Sequence, residues 1–205
     1  MDLLDDWRAL TGDEASGQAL LERWSEPHRH YHDIGHLRAV LRAVDGLGHE
    51  ARDVRAVRLA AWFHDAVYTG RPGKDEQASA ELAASVLPSL GVGAEVTAEV
   101  VRLVELTATH DPAPGDANGM VLCDADLAVL GGEPAEYADY AAAVRAEYGD
   151  VPGEEFRTGR IAVLQRLIAH QPLFHTATGQ NRWEQAARRN VATELTLLQS
   201  GASAS

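Results

Sequence analysis

Apolar positions recur with helical spacing through most of the chain. Leu37, Val40, Leu41, Val44 and Leu47 follow the i, i+3, i+4, i+7 rule while Arg38 and Arg42 fall on another face. This predicts an amphipathic helix stopped near Gly46 and Gly48. From about Asp53 to Asp65 the pattern changes, and Ala60, Ala61, Trp62 and Phe63 leave little polar face. Such a helix is buried nearly all round. Thr69-Gly70-Arg71-Pro72-Gly73 reads as a loop, with Asp75 as N-cap of a helix carrying Leu82, Val86, Leu87 and Leu90. Val96, Val100, Leu103, Val104 and Thr107 mark a further helix, ended by Asp111-Pro112-Ala113-Pro114-Gly115. Met120 to Leu130 forms a short apolar helix closed by Gly131-Gly132, and helical segments near 134–148, 154–170 and 180–199 complete the set. With no alternating strand pattern and no internal repeat, the expected fold is an all-α helical bundle. No linker-like stretch divides it, so residues 1–199 are expected to form one domain, with a frayed tail over 200–205.

Composition adds constraints on partners. Apolar residues make up 45% of the 205 positions, enough for a sizeable core, and Ala and Leu outweigh β-branched and aromatic types. Thirty-one acidic against 18 basic residues give a net charge of −13. That field repels nucleic-acid polymers and anionic membranes. A small phosphorylated substrate stays admissible, because a bound cation reverses the sign locally. Cys123 is the lone cysteine, so no intrachain disulfide forms, as suits a reducing compartment. The acidic Met1-Asp2-Leu3-Leu4-Asp5-Asp6 start lacks the order of a signal peptide, and no apolar run is long enough to span a bilayer. The cytoplasm is the expected location, and a homodimer is an open assembly.

The histidines are unevenly placed. His28, His30, His32 and His36 fall within nine positions, and His32 and His36 are four apart, so a helix started by Asp33 brings both imidazoles toward one surface. His64-Asp65 follows the apolar Ala60-Ala61-Trp62-Phe63 segment, where adjacent His and Asp are costly unless paired or ligated. Asp124-Ala125-Asp126-Leu127 again sets carboxylates into an apolar helix. Imidazole and carboxylate together suit zinc, manganese, nickel or iron, with magnesium less expected.

In order, His36, then His64-Asp65, then a distant Asp in an Ala-Asp-Leu context resembles the H…HD…D signature of the HD superfamily of metal-dependent phosphohydrolases. From about His28 to Thr176 the chain is similar to one bacterial family of predicted HD phosphohydrolases. The shared landmarks are Tyr31-His32 with His36-Leu37, Phe63-His64-Asp65-Ala66-Val67-Tyr68, Glu76 with Ser79-Ala80, Thr109-His110, Asp124-Ala125-Asp126-Leu127, Arg145-Ala146-Glu147-Tyr148 and Gly159-Arg160.

The resemblance implies an HD-domain helical bundle, a divalent metal and hydrolysis of a small phosphate ester, a nucleotide being one class. It makes His36, His64, Asp65 and Asp126 the metal ligands, with Asp124 the rival to Asp126. By similarity to cyclic-nucleotide phosphodiesterases, His32 protonates the leaving oxygen. Those enzymes carry another His four residues after the His of the His-Asp pair, where this chain has Tyr68, so His110 is the alternative ligand for a second metal. Asp65 and Glu76 are further catalytic candidates, and Lys74, His110, Arg145 and Arg160 are candidates for substrate contact. Two other readings keep the fold: a non-catalytic metal-binding interaction module, and a di-iron HD-fold oxygenase.

Overall fold

The computed structural model describes residues 2–201. Among them the chain is helical throughout and forms no strand, so the all-α expectation is met. The tail expected over 200–205 lies outside the described residues from 202 onward, while Ser200 still caps the last helix.

Two helices with no counterpart in the apolar pattern come first, α1 (Leu3–Thr11) and α2 (Ala15–Trp24). Their inward residues are few but large. Trp7 packs on Trp62 and Phe63 with centroids 5.1 and 5.8 Å apart. Then α3 (Ile34–Leu47) starts where Asp33 Oδ1 accepts from the amides of Gly35 and His36 at 2.7 and 3.2 Å. Its buried stripe is His36, Leu37, Val40, Leu41, Val44 and Leu47, so the ligand candidate rides on the apolar face. It runs through Gly46 rather than stopping there.

At the centre lies α4 (Val54–Phe63), capped by Asp53 and buried from Ala56 to Phe63 on all faces except at Arg58. Around it pack α3, α5 (Lys74–Ser89), α6 (Ala94–Leu106) and α7 (Ala117–Asp126). A 3₁₀ turn over Leu127–Gly131 ends α7 and leads into α8 (Pro134–Glu147). The C-terminal part contains α9 (Gly153–Ala169), the single turn α10 (Ala177–Gly179), a π turn over Gln180–Glu184 and α11 (Gln185–Gln199).

Buried apolar residues form two clusters. The larger draws residues from every helix from α1 through α7, and the smaller joins Leu130 and Tyr137 to α9 and α11. Trp183 packs against both.

Candidate metal centre

Three helix ends and one turn deliver the site. His36 occupies the first turn of α3, and His64 and Asp65 follow directly on α4. Asp126 is the last residue of α7. His36 Nε2 and His64 Nε2 lie 3.1 Å apart, with Asp65 Oδ2 3.2 Å from His64 and 3.7 Å from His36. Asp126 Oδ1 lies 3.0 Å from His36 Nε2 and 3.4 Å from His64 Nε2. The group His36, His64 and Asp65 can hold a metal ion. Donors bonded at about 2.0–2.2 Å to one centre stand roughly 3.0–3.5 Å apart; four of these separations fall in that range and His36–Asp65, at 3.7 Å, is wider.

The hydrogen bonds fix one tautomer. His64 Nδ1 lies 2.8 Å from the carbonyl of Ala61, which only accepts, so Nδ1 carries hydrogen and the Nε2 lone pair of neutral His64 faces the cluster. Among the described residues no Lys or Arg pairs with these four side chains, although both imidazoles and both carboxylates are largely withdrawn from water. Burial disfavours the charged form of His64, but the charges of Asp65 and Asp126 outweigh it and raise its pKa well above the ordinary value. For His36 burial prevails over the Asp126 contact and lowers the pKa. Both carboxylates are held below their usual range: burial opposes this, and His64 chiefly overcomes it. Such a cluster attracts a cation, whether proton or metal.

Trp24 walls off the imidazoles, with centroids 5.4 Å from His64 and 6.3 Å from His36, and its indole donates to Trp62 O at 3.1 Å. Behind the His64-Asp65 turn sits Arg29, its side chain fully buried. Its Nη1 donates to the carbonyls of Asp65 and His32 at 2.7 and 2.9 Å, and Nη2 to Ala66 O at 3.3 Å. One guanidinium thus clasps the two segments that carry His32 and His64.

No family model, curated protein or solved structure matches the chain. What the site can do is therefore read from its own geometry.

Beside the cluster opens a cavity of about 150 Å³ lined by His32, Asp65, Glu76, His110 and Asp126, among others. His110 has φ +53°, uncommon for a non-glycine residue, and follows α6 after a turn rather than extending it. That left-handed residue brings Nε2 to 2.8 Å from Asp126 Oδ2. Glu76 Oε2 accepts from Gly73 N at 2.5 Å, so it also closes the N-terminus of α5. Gly73 caps that helix in place of Asp75. Asp124 points elsewhere: it accepts from His175 N, Thr176 N and Thr176 Oγ1 at 2.7, 2.8 and 2.6 Å. Gly179 packs so closely on that carboxylate that a Cβ there would collide with it.

Three residues nominated for substrate contact lie away from this cavity. Lys74 is exposed and does not line it. Arg145 spends its guanidinium on the carbonyls of Tyr148 and Val151 at 2.5 and 3.2 Å and on the ring of Phe156. Arg160 is buried, with two contacts to Glu194 at 2.8 and 3.1 Å and one to Tyr140 Oη at 3.1 Å. Their charges are consumed locally, or point into solvent.

Sequence reasoning passed over Glu147. Its side chain is 1% exposed, and Oε1 accepts from the amides of His30, Tyr31 and His32 at 3.0, 2.8 and 2.8 Å. Oε2 lies 2.7 Å from His32 Nδ1 and 3.0 Å from Tyr68 Oη. Burial alone would raise its pKa, but His32 and those amides bring it down to about 2. An ionised Glu147 accepts only, so His32 Nδ1 carries hydrogen and Nε2 is the nitrogen left over. Burial lowers the His32 pKa, and Glu147 with the charge of Asp65 more than compensates, leaving it raised. Tyr68 stacks on the same ring at 4.4 Å.

Proposed function

We propose that this chain is a metal-dependent phosphohydrolase acting on a small phosphate ester. Two imidazoles and two carboxylates gathered with no Arg or Lys against them among the described residues, at the edge of a cavity that His32 also lines, carry this reading. His36, His64, Asp65 and Asp126 hold the metal, and the mixed nitrogen and oxygen donors favour zinc, manganese, nickel or iron over magnesium. When bound, a divalent cation supplies Lewis acidity toward a phosphoryl oxygen and a source of hydroxide near neutral pH.

The chain's own groups do the rest. Asp65, exposed to the cavity at one edge, accepts a hydrogen bond from the attacking water and orients it. His32 holds a proton at Nε2, the nitrogen that Glu147 leaves unused. A new P–O bond forms to the water oxygen as the ester P–O bond breaks, the Nε2 proton passes to the departing alkoxide oxygen, and the proton lost by the water returns through solvent to His32. The Glu147 carboxylate at Nδ1 stabilises the imidazolium and keeps that acid loaded. A purely metal-binding module has no use for a hydrogen-bonded His32–Glu147 pair beside its ion.

The test is phosphate release from a panel of phosphate esters, with metal content measured on the same samples. His64→Ala and Asp65→Ala should lose metal and activity together. Full activity in a metal-free protein refutes the reading.

A further inference from the structure

How a substrate's phosphoryl group is gripped depends on the cationic groups at the cavity. Among the described lining residues, Arg71 is the only Arg or Lys. Its loop is built around a buried carboxylate: Asp75, 5% exposed, accepts through Oδ2 from the amides of Thr69 and Arg71, each at 2.8 Å. Asp75 Oδ1 accepts from Thr69 Oγ1 at 2.6 Å, and that hydroxyl in turn accepts from Arg71 Nε at 2.8 Å. Thr69 thereby uses its one hydrogen on Asp75 and a lone pair on the guanidinium. The Nε position is spent, and the two Nη groups have no partner among the described residues. Two terminal Nη groups form a flat donor fork that matches a pair of phosphate oxygens.

Volume narrows the ligand. At about 150 Å³ the cavity is smaller than the roughly 300 Å³ at which sites for drug-sized molecules begin. A phosphoryl group fits inside, while a nucleoside would remain outside. The oxygen count then discriminates between ester types. A monoester has three non-bridging oxygens, two for the fork and one for the His/Asp centre; a diester has two and leaves one partner unserved.

We propose that the loop Thr69–Gly73 is a phosphate-recognition loop. In it Arg71 grips the terminal phosphoryl group of a small phosphomonoester, with Thr69 and Asp75 as positioning residues. This rests on the hydrolase reading above and specifies its substrate class.

The experiment uses the metal-loaded full chain. Binding of inorganic phosphate is measured by calorimetry, and hydrolysis is compared for p-nitrophenyl phosphate and bis(p-nitrophenyl) phosphate. Arg71→Ala should weaken phosphate binding by about 10–100-fold and raise KM for the monoester, with metal affinity unchanged. Arg71→Lys, which keeps charge without the fork, should recover only part of the loss. Thr69→Val should weaken phosphate by a few-fold, and adding it to Arg71→Ala should cost nothing more. Wild-type phosphate binding in a metal-loaded Arg71→Ala protein, or a diester cleaved as fast as the monoester, overturns the loop assignment while leaving the hydrolase reading intact. A wild-type protein that takes up metal but neither binds phosphate nor cleaves any ester overturns both.

Discussion

The chain buries two polar clusters of opposite character. In the smaller core Arg160 meets Glu194 through two hydrogen bonds, and Tyr137 and Tyr140 complete the set, Tyr137 donating to Glu194 Oε2 at 2.5 Å. Every charge there has its counter-charge in the chain. In the larger core His36 and His64 meet Asp65 on one side and Asp126 on the other, with no guanidinium or ammonium between them among the described residues. The first cluster is complete as folded, whereas under the proposed function the second is completed by a metal ion from outside. Burial alone does not separate a structural network from a binding site; the balance of donors against acceptors does.

The largest expected effect separates two neighbouring carboxylates. A four-ligand site is worth an apparent ~10–16 kcal/mol for zinc, so Asp126→Asn should cost about 4 kcal/mol, or about 1,000-fold, in metal affinity. Asp124→Asn should leave metal affinity unchanged and lower thermal stability, because its partners are the His175–Thr176 amides and hydroxyl. Calorimetric titration and thermal unfolding of both variants give the comparison, and equal metal affinities would erase the distinction between them.

Next comes the self-complete cluster. Arg160→Ala strands the Glu194 carboxylate, 13% exposed, and should destabilise the fold by about 3 kcal/mol. Its metal-induced rise in melting temperature should match that of the wild type. A lost rise would show that the two clusters are coupled.

Glu147→Gln is expected to act more gently and more selectively. Three amides must keep an oxygen acceptor, which forces the new NH₂ group toward His32 Nδ1 and moves the ring hydrogen to Nε2. Turnover should fall about 10–100-fold with metal retained, and the His32 ¹⁵N shifts should report the other tautomer. The pH dependence has a definite sign. Glu147 has its pKa depressed from 4.5 to about 2 in the fold, so its stabilisation is present above pH 4.5 and is lost as pH falls toward 2. That contribution is on the order of 3 kcal/mol. The variant should therefore lose less stability than the wild type between those pH values in acid unfolding.

Lys74→Ala should be the quietest change, within about 0.5 kcal/mol in stability and under about two-fold in kinetics, because this exposed side chain lies off the cavity. A large kinetic effect would relocate the phosphate contact.

The elements legible in the sequence are those with a long apolar stripe. The period through Leu37, Val40, Leu41, Val44 and Leu47 marks α3, and the loss of a polar face marks the central α4. The helices α1 and α2 hold to the core by Leu3, Trp7, Leu20 and Trp24, too few points for a period to emerge. Asp126 and Asp124 stand two apart in the same apolar helix, and only the packing of the 175–179 segment decides which carboxylate turns away. The arginines were harder still. Arg145, Arg160 and Arg71 are alike in sequence, but carbonyls and Glu194 occupy the first two while Arg71 keeps its fork. Glu147 stands in the Arg-Ala-Glu-Tyr string beside an arginine with the more obvious affinity for phosphate. Its role depends on a contact with His32 across 115 residues, which no local pattern encodes.

Diffraction from metal-soaked crystals, collected at the absorption edge of the added ion, bears most directly on the claim that the second cluster is completed from outside. One anomalous peak is expected, bonded to His36 Nε2, His64 Nε2, Asp65 and Asp126. An empty map at that point after exposure to zinc, manganese, nickel and iron, with the two imidazoles simply sharing a proton, would contradict it.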